Sequence, residues 1–196
     1  MDPAPAAVSH APLVPQQDGL HALLMECAAG LPNDDLFARM LVSQARGLGA
    51  LPPGLGLGDA GFGALMSRHF PAFGLPAQLA ERHDLGERTV EWDDLHALLL
   101  QHCAQRDASE PWVAAIVASA CMGGDHLWQD LGLWSRADLT RLMAENFPML
   151  HAANTHNMKW KKFLYKQLCN RAGVSACRSP TCEACADYAQ CFGPEG

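Results

Sequence analysis

An all-α fold is predicted by three features of the sequence. Apolar residues recur at i, i+3, i+4 and i+7 in segment after segment. No stretch alternates apolar and polar residues as a half-buried strand would. Apolar residues make up 49% of the chain while tyrosines number only two, a composition suited to packed helices. The 196 residues suffice for one domain with a hydrophobic core and a short appended module. The expected organisation is a flexible Pro/Ala lead-in over residues 1–17, a helical domain over 18–170, and a cysteine-rich metal-cluster loop over 171–196 packed on it.

Each helix has its own local signals. Asp18 N-caps a first helix running toward Gly30, with Leu20, Leu23, Leu24, Cys27 and Ala28 along one face. Asn33 begins a second, with Leu36, Phe37, Met40 and Leu41 inward and Gly47 closing it. The stretch "GLGALPPGLGLGDAG" reads as a connector. Phe62, Leu65, Met66 and His69 mark a short helix that stops before Pro71. Leu95, Leu98, Leu99 and Cys103 mark another over about Trp92 to Arg106. Ser109 caps the helix that carries Trp112, Ile116, Val117 and Ala120 and breaks at Gly123-Gly124. Ser135 with Asp138 opens a helix that ends by Phe147, ahead of Pro148. From about Thr155 to Cys169 a last helix places Trp160, Phe163, Leu164 and Leu168 on one side and Lys159, Lys162 and Lys166 on the other.

Charge and hydropathy exclude some functions. The apolar run Trp112 to Met122 is too short to span a bilayer, and residues 1–17 lack the basic and apolar regions of a secretory signal. A cytoplasmic chain is therefore expected, where thiols stay reduced and clustered cysteines point to metal rather than disulfides. Residues 1–150 hold 8 Arg/Lys against 18 Asp/Glu, a balance of −10, whereas residues 151–196 hold 6 against 3, a balance of +3. So acidic a body does not suit nucleic-acid binding, whose affinity comes largely from phosphate contacts. The local positive charge immediately precedes the cysteines, where cations lower thiol pKa and offset an anionic cluster.

Four of the eight cysteines, Cys177, Cys182, Cys185 and Cys191, fall in "CRSPTCEACADYAQC" with spacing C-x4-C-x2-C-x5-C. Thiolates are soft ligands matched to zinc or to iron–sulfur clusters. A C-x2-C pair places both sulfurs on one metal site, and the outer two cysteines close the ring. Cubane clusters accept ligands from one short loop, whereas structural zinc more often takes two separated C-x2-C pairs. Spacing therefore ranks an iron–sulfur cluster ahead of zinc and leaves both open. Cys169, at the end of the lysine-bearing helix, is an auxiliary ligand candidate or a packing residue. His126, beside Asp125 after the glycine pair, is the other auxiliary candidate. His96 and His102 are six apart and do not share a helix face. His151 and His156 precede the lysine helix. Cys27, Cys103 and Cys121 sit in apolar faces as small hydrophobes.

Two glycine patterns lead elsewhere. Gly56-x-Gly58-x-x-Gly61 has the letters of a dinucleotide fingerprint but lacks the preceding strand. "PGLGLGDA" is similar to the hairpin of helical DNA glycosylases that end in a four-cysteine iron–sulfur loop. The catalytic Lys and the Asp-His-Val element that should follow it have no counterpart between Gly58 and Val90.

"MKWKKFLYKQLC" (Met158 to Cys169), the cysteine spacing and the closing "CFGPE" together resemble the nitrogen-fixation family NifQ, as do "ACMGGDHLWQDLGL" (Ala120 to Leu133) and "RLMAENFPML" (Arg141 to Leu150). The resemblance is specific over residues 115–195 and loose before them. It implies a non-enzymatic donor that carries a molybdenum-containing iron–sulfur cluster on Cys177, Cys182, Cys185 and Cys191. Such a donor supplies molybdenum for the nitrogenase iron–molybdenum cofactor. Its implied partners are the cofactor-assembly proteins, scaffold and reductase, with no nucleic acid and no membrane. The readings set against it are a zinc-stabilised helical interaction module and the helical iron–sulfur glycosylase.

Overall fold

The computed structural model describes residues 18–74 and 89–172 together with Phe192. Among these every regular element is helical: α1 (Asp18–Glu26), α2 (Asp34–Ala45), α3 (Gly58–His69), α4 (Val90–Gln101), α5 (Glu110–Cys121), α6 (Leu127–Asp130), α7 (Arg136–Asn146), α8 (Pro148–Ala153) and α9 (Trp160–Arg171). One 3-10 turn, Pro53–Gly56, lies between α2 and α3. The all-α expectation holds for the described residues. The expected lead-in over 1–17 and the four tail cysteines lie outside them.

Helix α5 is the axis of the core. Every residue from Val113 to Cys121 is buried, as an all-round apolar helix requires. Helix α4 runs antiparallel to it: Trp92, in the first turn of α4, donates its indole N–H to Ser119 Oγ near the end of α5 at 3.0 Å. Leu95, Leu98 and Leu99 of α4 are at most 1% exposed and belong to the same core cluster as α5. On another side Phe37, Leu41 and Met40 of α2 join Leu65 and Met66 of α3, all at most 2% exposed.

Buried polar side chains fix the packing between helices. Asn33, with φ 72°, donates to Ser109 Oγ at 3.1 Å and exchanges amide hydrogen bonds with Asn146 at 2.9 Å in each direction. Asp34 accepts from the fully buried His69 Nδ1 at 2.6 Å and from the Leu31 amide at 2.7 Å. Glu110 collects the backbone N–H groups of Gln105, Arg106 and Asp107. Those contacts keep Gln105 to Asp107 out of the helix expected to run to Arg106, with Gln105 held at φ 59°; α4 itself ends at Gln101. Ser109, expected to cap α5 with its hydroxyl, makes no such bond.

The connector after α2 is packed, not free. Gln44 Nε2 donates to the Leu51 and Pro52 carbonyls, and the Ala50 amide donates to the Asp130 carbonyl at 2.9 Å. Gly132, at φ 69°, lets α6 approach α2; a Cβ there would lie 2.7 Å from Ser43 Cβ. Two helices escaped the periodicity. Pro148 reads as a stop, yet it occupies the first turn of α8, where a missing N–H costs nothing. The four residues of α6 are too few to show a period.

Ser135 caps α7 as expected, its hydroxyl accepting from the Asp138 amide at 3.2 Å. Replacing Ser135 with Ala is expected to cost about 1 kcal/mol in a urea melt at unchanged m-value. No helix among the described residues is long and apolar enough to cross a membrane.

Candidate metal centre

The expected ligands Cys177, Cys182, Cys185 and Cys191 lie outside the described residues. What the structure does describe is the helix that leads into them. Helix α9 begins at Trp160 rather than Thr155, because Asn157 at φ 53° interrupts the chain there. Asn154 closes that turn, accepting from the Met158 amide at 2.8 Å and donating to the Met158 carbonyl at 2.9 Å. Trp160, Phe163 and Leu164 are buried and Leu168 packs on the core, which is the face the periodicity predicts.

Three polar contacts hold α9 along its length. At its first turn Lys161 Nζ donates to the Gly123 carbonyl at 2.9 Å and forms an ion pair with the Asp130 carboxylate. Midway, the Tyr165 hydroxyl donates to Glu91, in the first turn of α4. Burial, with that carboxylate second, holds the Tyr165 phenol well above its usual pKa, so it stays a donor. At the last residue Arg171 donates to Gln101 Oε1 at 2.7 Å. Because Tyr165 meets the start of α4 and Arg171 its end, the two helices run in the same direction.

Lys161 is the contact that the sequence reading missed. The three lysines expected on the outer face were Lys159, Lys162 and Lys166; Lys162 is exposed, whereas Lys159 and Lys166 are half-buried. The spacing of Lys161 to Leu164 and Leu168, i+3 and i+7, was the available signal that it belongs to the inner face. Its partner Asp130 is 2% exposed and also accepts from the Asp125 amide at 3.1 Å. Gly123 makes room for this pair: a Cβ there would lie 2.4–2.6 Å from the Asp130 carboxyl atoms.

His126 is the residue before α6, its amide donating to Gln129 Oε1 at 3.2 Å. It therefore belongs to the loop that Lys161 ties to the first turn of α9. Cys169 is half-buried in the last turn. Cys103 and Cys121 are unlike ligands. Burial pushes Cys121 up to about 12, and burial with the Glu110 charge pushes Cys103 up to about 11, so both stay protonated at neutral pH. His96 lies against Trp92 and His151 stacks beside Trp160. Among the described residues no three His, Cys, Asp or Glu side chains converge as a metal site.

No solved structure matches the chain. The family model NifQ matches residues 36–193, which run from the first turn of α2 through α9 and take in all four tail cysteines. Protein NifQ of Azotobacter vinelandii is 46% identical over 168 residues, covering 80% of this chain and 86% of the relative. Protein NifQ of Rhodobacter capsulatus is 39% identical over 160 residues, covering 82% and 87%. Protein NifQ of Klebsiella pneumoniae is 36% identical over 179 residues, covering 83% and 99%. A match of this extent, over both the helical body and the segment that holds the cysteines, makes the chain a member of the NifQ family.

Proposed function

We propose that the protein carries molybdenum within an iron–sulfur cluster and supplies it for biosynthesis of the nitrogenase iron–molybdenum cofactor. The cluster is its cargo, and Cys177, Cys182, Cys185 and Cys191 are the thiolates that hold it. The observation that carries the reading is the C-x4-C-x2-C-x5-C spacing placed directly after the lysine-bearing α9, within a chain that belongs to NifQ. Family membership ties the chain to nitrogen fixation and supports cofactor-assembly proteins, a scaffold and a reductase, as the receiving partners. Iron takes thiolates one to a corner, whereas molybdenum accepts additional oxygen or nitrogen donors, which makes its corner the exchangeable one. The protein acts as a cytoplasmic donor, not as a turnover enzyme.

Anaerobic purification with metal analysis and a visible spectrum tests this. A brown protein containing iron and molybdenum is expected. A colourless protein with one zinc would mean a structural tail. Iron without molybdenum, with incision of damaged DNA, would mean the glycosylase.

The lysines of α9 give a second expectation. The first turn of α9 holds no acidic residue, and Lys159 stands at its N-cap, where the helix dipole disfavours a cation. Helix stability does not account for that placement; attraction of molybdate, screening of an anionic cluster or docking of an acidic partner would. Changing Lys159, Lys162 and Lys166 together to Gln should lower molybdenum content several-fold while altering stability by no more than about 0.5 kcal/mol. Intact metal content and delivery would return these lysines to a plain solvated face.

A further inference from the structure

We propose that the recess between the end of α1, the start of α2 and α7 is a docking site for a basic segment of a partner protein, seating one arginine or lysine side chain of that segment. The proposal is independent of what the cysteines carry and concerns a face of the body that the metal reading does not use.

The recess has a volume of about 470 Å³, and Met25, Ala28, Leu31 and Pro32 supply its apolar wall. Met25 and Pro32 are exposed, while Ala28 and Leu31 are half-buried. The buried part of the lining, Asn33 and Asp34, is fixed by the core. Asn33, at φ 72°, is bonded to Ser109 and Asn146, and Asp34 to His69. A recess held in this way exists before any partner arrives, so docking carries little ordering cost.

Charge selects the occupant. The lining holds three carboxylates, Asp34, Asp35 and Glu145, against one guanidinium, Arg141, a balance of −2. Arg39, which with His21 also bonds Asp35, is matched by Asp138. Arg141 and Glu145 stand one turn apart on α7, the spacing of a helical ion pair. Arg141 nevertheless pairs with Asp35 and reaches Asp138 at 3.9 Å. Glu145 is exposed and, among the described residues, has no ion-pair or hydrogen-bond partner. It lies in the last turn of α7, where the helix dipole disfavours a carboxylate and no basic side chain offsets it. Helix stability does not explain that placement, and a docked cation supplies the missing counter-charge. An arginine or lysine serves both parts of the recess: its methylene stem covers the apolar wall and its head meets Glu145. The exposed Met25 side chain is flexible enough to adapt to such a stem. An acidic segment would bring like charge to the rim of a body that is already acidic.

The test titrates the full chain, isotope-labelled for amide NMR, with acetyl-Leu-Arg-Leu-amide and its analogues carrying norleucine or glutamate at the centre. The arginine peptide should shift the amides of Met25, Ala28, Leu31 and Glu145. It should bind about fivefold more tightly than the norleucine peptide, an advantage lost at high salt, and the glutamate peptide should bind least well. Glu145→Gln should remove the advantage at unchanged melting temperature, and Met25→Ala should weaken both peptides. Equal binding of the arginine and norleucine peptides, or shifts confined to other surfaces, would overturn the proposal. Arginine amide or spermidine binding as tightly as the arginine peptide would make the recess a small-cation site instead. A wild-type dimer that Glu145→Gln dissociates in sedimentation would assign the surface to a second copy of the chain, and the proposal would fall.

Discussion

Asp130→Ala is expected to lower stability by about 3 kcal/mol, and melting by about 6–12 °C in a chain of this size. The substitution strands the Lys161 ammonium, whose side chain is only 17% exposed, without its counter-charge, and it removes the acceptor of the Asp125 amide. A buried pair contributes little over an apolar replacement, but breaking it from one side leaves an unpaired charge, and that is the larger effect. Lys161→Met should cost at least as much, because Asp130 is the deeper partner at 3% side-chain exposure. The double variant Asp130→Leu/Lys161→Met should recover much of the loss, with a coupling on the order of 2 kcal/mol in a double-mutant cycle. Gly123→Ala reaches the same pair sterically, since its methyl would occupy the space of the Asp130 carboxyl. A loss below about 1 kcal/mol for Asp130→Ala would mean a solvated bridge and no anchoring of α9.

The pair also marks where sequence reading ends. Helix α5 was legible because burial all round leaves an uninterrupted apolar run, and α7 because Ser135 and Asp138 state its start locally. Asp130 and Lys161 are 31 residues apart, and nothing in either segment says that the other will neutralise it. Lys161 looked like one lysine in a basic run, although its register with Leu164 and Leu168 already placed it inward. The same holds for Glu110, whose reach back to three amides shapes the turn of residues 105–107 that the periodicity assigned to α4. Non-local polar contacts of this kind are set by packing, and packing is not written in a period. The candidate site divides the same way. Its soft-ligand chemistry lies in the spacing of four cysteines and is readable at once. How α9, the helix that leads to them, is seated on the body is not readable: Tyr165 and Arg171 meet Glu91 and Gln101 of α4, 74 and 70 residues away in sequence.

Replacing Cys182 and Cys185 with Ser should remove the iron, the molybdenum and the visible absorption while leaving the helical body folded. A serine hydroxyl is a hard donor that stays protonated at neutral pH, so it does not substitute for a thiolate on iron. The body, by contrast, has a core of its own: Phe37 of α2, Leu65 of α3, Leu99 of α4, Ile116 of α5 and Leu164 of α9 are all 0% exposed within one cluster. Far-UV circular dichroism and the melting transition of the double variant should therefore match wild type within a few degrees. Two outcomes would contradict this. Full metal retention would remove Cys182 and Cys185 from the ligand set. Loss of metal together with collapse of the melting transition would mean that ligation supplies folding energy, as it does in small structural zinc modules. A donor has the opposite requirement. It must release its cargo and stay folded, so the free energy of the body has to come from the helices and not from the cluster. The sensitivity of melting to Asp130→Ala, set beside its insensitivity to the cysteine pair, is the signature that separates a carrier from a metal-stapled fold.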